Sequence, residues 1–158
     1  RKKGENPMWQ KMLQVGSGGS GGITKEELWV NNGLRIPTSE IFDCGYTAHT
    51  VTVPTVSSTS ISFTTSGGGY WSGVLGDIDF TKVGAFIVDG TGLCVGILKN
   101  GGTLGSDSTQ YDEFYNNVGQ TNATSIGIDT TEISGTHTVF IGTYNGRSAT
   151  MTKASIFK

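Results

Sequence analysis

Asp77 and Asp79 stand two residues apart in the run GVLGDIDF (residues 73–80). If that segment is extended, both carboxylates share one face. Paired acids support two chemistries: cleavage of a glycosidic bond, or calcium ligation together with loop carbonyls. Neighbouring acids on one strand face lie closer than two acids that must flank a scissile bond. Turn chemistry and solvation account for the pair as well. No metal site or cofactor is therefore expected, and Asp77 and Asp79 are the residues to watch for one. Asp107, Asp112 and Glu113 form a second acidic cluster with the same ordinary reading. His49, followed by Thr50, and His137, between Thr136 and Thr138, lie in strand-like runs without the positioned partner a catalytic histidine needs. Zinc-protease and Walker signatures are absent, and the strings that fit the nucleophile-elbow and dinucleotide-binding patterns fall inside the Gly-Ser run 16–22, which does not open a helix as those motifs require. The chain reads as a non-enzyme, with a glycosidase the least favoured alternative.

Aromatic residues carry more information. Tyr70 and Trp71 are adjacent, so on a strand they point to opposite faces and one of them is exposed. Tyr111, Phe114 and Tyr115 sit in a polar stretch spanning residues 104–124. Exposed rings of this kind stack on sugars or fill a protein interface. The competing reading is that they plug one end of the fold. These five are the candidate ligand-contacting aromatics. Asn122-Ala123-Thr124 matches a glycosylation triplet, a frequent chance match in a Thr-rich chain. Cys44 and Cys94 lie in dissimilar contexts and read as two buried thiols or one disulfide, not as zinc ligands.

The elements that must position these residues are strands. From Ile23 onward the apolar period is two rather than 3.6. Residues 23–28 read as a helical turn or an opening strand. Residues 28–30 and 34–36 flank Asn31-Asn32-Gly33 as a hairpin. Residues 50–53 and 60–64 alternate, the latter with Ile61 and Phe63 inward, and residues 70–75 form the next strand. Two apolar runs, 83–88 and 93–98, read as a buried hairpin joined through residues 89–92. Residues 125–128 add a short strand. Residues 136–144 and 147–157 form a closing hairpin around Asn145-Gly146. Val139 and Ile141 face Ala149, Met151 and Ile156 in that reading. About eight to ten short strands without a long helix predict an all-β antiparallel sandwich, jelly-roll-like in style.

Composition agrees. Of 158 residues, 25 are glycine and only 15% are charged. Ser, Thr and Gly stand where Lys and Glu would, as on Thr-rich sheet faces with glycine turns. A net charge of −2 gives no drive toward nucleic acid or anionic lipid. No run approaches the roughly 18 apolar residues of a membrane span.

The chain divides at residues 16–22, GSGGSGG, a composition typical of the flexible linkers that join engineered fusions. Residues 1–15 before it, RKKGENPMWQKMLQV, read as an amphipathic helix capped by Asn6 with Pro7 at its first position. Met8, Trp9, Met12 and Leu13 form its apolar stripe. So short a helix is unstable alone. The reading is a tethered peptide from a protein partner, docked in a groove of the domain formed by residues 23–158.

Three segments carry a resemblance: residues 69–80 (GYWSGVLGDIDF), 86–98 (FIVDGTGLCVGIL) and 136–158 (THTVFIGTYNGRSATMTKASIFK). Their pattern resembles jelly-roll modules of phage tail and receptor-binding proteins, and related carbohydrate-binding modules. The resemblance implies a binding or structural module of a virion or extracellular surface, with homo-oligomers common in such assemblies. Its alternative is a carbohydrate-binding module that takes a surface glycan, the appended peptide being incidental. No binding residue carries over by position.

Overall fold

A computed structural model describes residues 24–30, 33–34, 38–44, 55–57, 59–65, 67 and 71–158 of the chain. The predicted helix with its anchors Met8, Trp9, Met12 and Leu13, the linker, His49, the strand at 50–53 and Tyr70 lie outside the described residues.

Strong period-two alternation produces strands wherever the sequence shows it. Twelve are described: β1 (Lys25–Val30), β2 (Gly33–Leu34), β3 (Thr38–Cys44), β4 (Thr55–Val56), β5 (Ile61–Thr64), β6 (Trp71–Asp79), β7 (Ala85–Thr91), β8 (Cys94–Leu98), β9 (Tyr111–Asn116), β10 (Ala123–Asp129), β11 (Thr136–Tyr144) and β12 (Ser148–Phe157). A single 3-10 turn, Ser108–Gln110, precedes β9. All pairings are antiparallel. Among the described residues, one sheet runs β10-β7-β12-β1-β2, with β5 also on β12 and β4 on β5. The other runs β3-β6-β11-β8-β9. We call them the first and second sheets.

Inward side chains of both sheets meet in one core, which includes Ile61, Phe63, Val74, Phe80, Phe86, Val88, Val95, Ile97, Ile128, Ile141 and Met151. Burying each large apolar side chain is worth about 1.5–3 kcal/mol. The core therefore fixes which alternate residues of every strand point in. Outward positions are left to carry function.

Two predicted hairpins are corrected. The run 83–98 is not a hairpin: β7 pairs with β10 and β12 in the first sheet, whereas β8 pairs with β11 and β9 in the second. The chain crosses between sheets at Gly92, whose φ is +68°. A Cβ there would also fall 3.0 Å from the Ser148 carbonyl oxygen. The closing pair differs in the same way. Asn145 and Gly146, with φ of 58° and 68°, make the tight turn that the sequence predicts. Yet β11 lies between β6 and β8, while β12 lies among β7, β1 and β5. Val139 and Ile141 do face Ala149 and Met151, but across the core rather than along a shared ladder. Both strands have an apolar face to bury, and opposing sheets bury those faces on each other.

Three more strands had no counterpart in the sequence reading: β3 (TSEIFDC), the two-residue β4 that follows Pro54, and β9 (YDEFYN), which lies inside the stretch that reads as irregular. Of the segment read as a helical turn or an opening strand, Lys25 onward is strand: β1 lies along the end of β12, where Thr24 and Lys158 exchange backbone hydrogen bonds of 2.9 and 2.8 Å.

A Cys44–Cys94 disulfide is excluded by topology. Cys44 is on β3 and Cys94 on β8, with β6 and β11 between them. Three inter-strand spacings amount to about 14 Å, twice the reach of a disulfide. Cys94 is buried, and its Sγ donates to the Gly142 carbonyl at 3.5 Å.

Candidate functional site

The outer face of the second sheet carries a second apolar cluster, separate from the core. Trp71, Cys94 and Phe140 are buried in it, with Leu75, Leu104, Phe114, Val118 and Tyr144 packed around them. Outward residues of a sheet ordinarily meet water, so burial there needs a local cause. Glycines supply it. Gly73 and Gly142 are direct partners on β6 and β11, and Gly96 is the partner of Phe140 on β8. A Cβ on Gly73 would lie 2.4 Å from the Phe140 ring, and one on Gly142 would lie 2.6 Å from it. A Cβ on Gly96 would lie 2.6 Å from the Tyr111 ring. The absent side chains let Phe140 and Tyr111 lie down on the sheet, and this aromatic layer becomes the floor for the next.

Above that floor lies a groove of about 420 Å³. It is lined by Trp71, Tyr111, Phe114 and Tyr144, with Asn116, Asn145, Ser106, Ser108 and Gly105 supplying polar groups. Trp71 and Tyr144 are cross-strand partners whose rings stack at 4.5 Å with planes 26° apart. Trp71 also meets Phe140 edge-on at 5.7 Å and Phe114 at 6.4 Å. Phe114 tilts against Tyr111 at 4.8 Å. Trp71 and Tyr111 are almost wholly buried, while Phe114 and Tyr144 are half-buried and present surface to the groove. The Asn116 amide donates to the Tyr144 hydroxyl, and its carbonyl oxygen accepts from the Val118 backbone at 3.0 Å. Those bonds orient the Tyr144 ring at the rim.

One wall of the groove comes from the turn before β9. Asp107 caps it, accepting from the Thr109 hydroxyl at 2.7 Å and the Thr109 backbone N–H at 3.0 Å. The Thr109 hydroxyl, then its N–H, then the Gln110 amide hold the Asp107 carboxyl below the usual carboxylate range. Asp107 is thus committed to the turn rather than to a ligand.

The structure sorts the other sequence candidates. It brings Trp71, Tyr111 and Phe114 into the groove. Tyr115 is turned the other way and packs against the main core. Period-two geometry requires this, since Phe114 and Tyr115 are neighbours on one strand. Asp77 accepts from the Thr138 hydroxyl at 2.8 Å. Asp79 accepts from the Thr81 backbone N–H at 2.9 Å, which together with the Thr81 side chain lowers its pKa. Neither lines the groove. His137 is buried, with Nδ1 2.9 Å from the Leu98 carbonyl and Nε2 3.1 Å from the Ser134 carbonyl. Asp112 lies 3.3 Å from its Nδ1. Each ring nitrogen thus lies within hydrogen-bond distance of a backbone carbonyl, and the ring bridges two chain segments. Among the described residues, no three His, Cys, Asp or Glu side chains converge as metal ligands.

Tyr144, Asn116, Ser106 and Ser108 were not singled out in the sequence, and Asn145 was read only as part of a turn. Tyr144 reads there as the last residue of a strand. The signal that could have found it is the short spacing from a strand-ending aromatic to an Asn-Gly turn, which places a ring beside a polar loop.

No family model and no curated relative matches the sequence. Among solved structures, the chain is similar to the xylan-binding module CBM15, with a TM-score of 0.47 and 14% identity over 86% of this chain and 97% of that one. It is also similar to part of xylanase 10C from Cellvibrio japonicus, solved with xylopentaose, with a TM-score of 0.47 and 17% identity over 83% of this chain and 28% of that one. A third similarity is to the CBM36-1 domain of a multidomain xylanase from the hindgut metagenome of Trinervitermes trinervoides, with a TM-score of 0.42 and 7% identity over 87% of this chain and 97% of that one.

Proposed function

We propose that this domain is a non-catalytic carbohydrate-binding module whose outer-face groove takes a stretch of uncharged glycan. The observation that carries the reading is the groove itself: half-buried Phe114 and Tyr144 above a packed aromatic floor, edged by Asn and Ser side chains. A sugar ring has apolar C–H faces and a polar perimeter. It matches a surface that offers aromatic faces for stacking and amide and hydroxyl groups around them. Its volume falls within the usual range for small-ligand sites. No charged residue is among the described lining residues, which favours a neutral chain over an acidic one. The non-catalytic reading is supported by the engagement of Asp77, Asp79 and Asp107 in hydrogen bonds to threonines and by their absence from that lining. A glycan ligand fits a secreted or surface setting. The first reading from sequence is a virion or cell-surface module docked by its own tethered helix; the helix lies in residues 1–15, outside the described residues, and nothing among the described residues favours the virion setting.

Titration calorimetry with soluble xylan, mixed-linkage β-glucan and galactomannan, with polygalacturonate as the acidic control, tests the proposal. At least one neutral polymer should bind, and Tyr144→Ala should remove the heat. If none of the neutral polymers binds, or if polygalacturonate alone does, the reading fails.

A further inference from the structure

Tyr111 is oddly placed for a ligand-contacting ring. Only 6% of it is exposed, and its ring lies flat over Gly96. Its hydroxyl, however, reaches across to the groove wall. It donates to the Gly105 carbonyl at 2.7 Å and accepts from the Gly105 N–H at 3.1 Å. One phenol thus satisfies both backbone groups of a single loop residue. A Cβ on Gly105 would meet nothing within 4 Å, so that residue has no side-chain packing of its own.

The rest of the wall is held from its ends. Lys99 N–H donates to the Gln110 carbonyl at 2.9 Å, and the Gln110 side chain accepts from Thr103 N–H at 3.0 Å. Asp107 fixes the final turn. Between these anchors the segment 104–106 must be fixed to the sheet by something else. Leu104 packs on the aromatic cluster, and the Tyr111 hydroxyl takes Gly105. The same Tyr111 ring leans on Phe114, one of the two half-buried rings of the groove. Tyr111 therefore links a stacking surface to the polar wall opposite it.

We infer that Tyr111 is a positioning residue of the groove: it latches Gly105 so that Ser106 and Ser108 stand at a fixed separation from Phe114 before any ligand arrives. This rests on the glycan-binding reading above. The physical reason is preorganisation. A wall already ordered costs a ligand nothing to order, whereas a released wall subtracts its ordering entropy from the binding free energy. The sequence places Tyr111 among the ligand-contacting rings; the structure gives it a role that acts through Gly105 and Phe114 instead.

The test is Tyr111→Phe, which keeps the ring over Gly96 and against Phe114 and deletes only the latch. Three measurements are made on the full chain: amide exchange at Gly105 and Ser106, the thermal unfolding midpoint, and calorimetric titration with the neutral polymer that wild type binds best. The expected result is faster exchange at Gly105 and Ser106, a midpoint within a few degrees of wild type, and affinity lower by about tenfold. The loss should appear as a less favourable binding entropy, a readout that a purely structural role would leave unchanged. Tyr144→Ala serves as the contrast: it should lose affinity with exchange at Gly105 unaltered. Wild-type affinity in Tyr111→Phe overturns the inference alone, as does a loss of affinity without faster exchange at Gly105. A large drop in the unfolding midpoint also overturns it, by showing that the hydroxyl serves folding. If the wild-type chain binds no neutral polymer, the reading beneath it falls and the inference falls with it.

Discussion

The outer faces of the two sheets share strand geometry and back onto the same core, yet they are chemically opposite. On the second sheet, glycines at outward positions of β6, β8 and β11 let Phe140 and Tyr111 lie flat, and Trp71, Tyr144 and Phe114 pile onto them. On the first sheet, the corresponding outward positions carry Lys25, Asp89, Ser125, Lys153 and Ser155, interrupted by Ile87 and Phe157. Among the described residues that face has a small hollow of about 130 Å³. Lys25, Ser125 and Lys153 are exposed there, Ser125 donates to Asp89, and Ser155 is buried between them. The difference shows that an aromatic surface on a sheet depends on what lies beneath the rings as much as on the rings themselves. Without glycine beneath them, the same aromatics would stand up from the sheet as separate side chains.

The sharpest way to break this comparison is to fill the floor. Gly142→Ala places a Cβ 2.1 Å from the Ser72 carbonyl oxygen and 2.6 Å from the Phe140 ring. Backbone cannot yield as a side-chain tip would. We expect a loss of about 3 kcal/mol or more in urea unfolding, or failure to fold. Next comes Trp71→Ala, which removes a ring that is 5% exposed and contacts Tyr144, Phe114 and Phe140. The expected cost is about 3–4 kcal/mol by the same measurement, together with loss of glycan binding.

Tyr144→Ala separates affinity from stability. The ring is at the rim and half-buried, so its removal should cost about 1–2 kcal/mol of stability. Neutral-glycan affinity should fall by more than tenfold, the effect of losing a central aromatic anchor. Retained affinity would move the binding surface elsewhere.

Asp107 provides a pH test of the groove wall. Hydrogen bonds from Thr109 and Gln110 lower its carboxyl pKa in the folded state. The sign follows from linkage: the unfolded chain binds the proton at higher pH than the folded one. The contribution is therefore complete above about pH 4, the ordinary Asp range, and is lost as pH falls through the lowered folded value. Urea midpoints taken from pH 6 down to pH 2.5 should fall more steeply for wild type than for Asp107→Asn. Identical acid limbs would show that the cap contributes nothing measurable.

The smallest effect is expected on the opposite face. The Ser155 hydroxyl is buried, and among the described residues it has no hydrogen-bond partner. Ser155→Ala should leave stability within about 0.5 kcal/mol of wild type or raise it slightly, since no bond is lost. Glycan affinity should not change in Ser155→Ala or Lys153→Ala. An affinity loss in either would place ligand on the first sheet and reverse the assignment of the two faces.

Sequence by itself determined the class of this fold. Alternation at Ile61 and Phe63 and at Val139 and Ile141 depends on side-chain direction alone, so the local pattern specifies strand and inward face together. The Asn145-Gly146 turn is local for the same reason: it needs two residues at positive φ, and the sequence offers a pair that tolerates it. Which strands become neighbours was decided only by the tertiary structure. β7 and β8 are consecutive yet fall in opposite sheets, as do β11 and β12, because a tight turn can serve a hairpin or a crossing equally well. The groove depends on those partnerships. Trp71, Tyr111 and Phe114 were visible as aromatics, but Tyr144 joins Trp71 only through the β6–β11 register, across more than seventy residues of chain. Asn116 reaches Tyr144 only after β9 has been added at the sheet edge. Burial of the common core selects that arrangement, and no short stretch of sequence contains it.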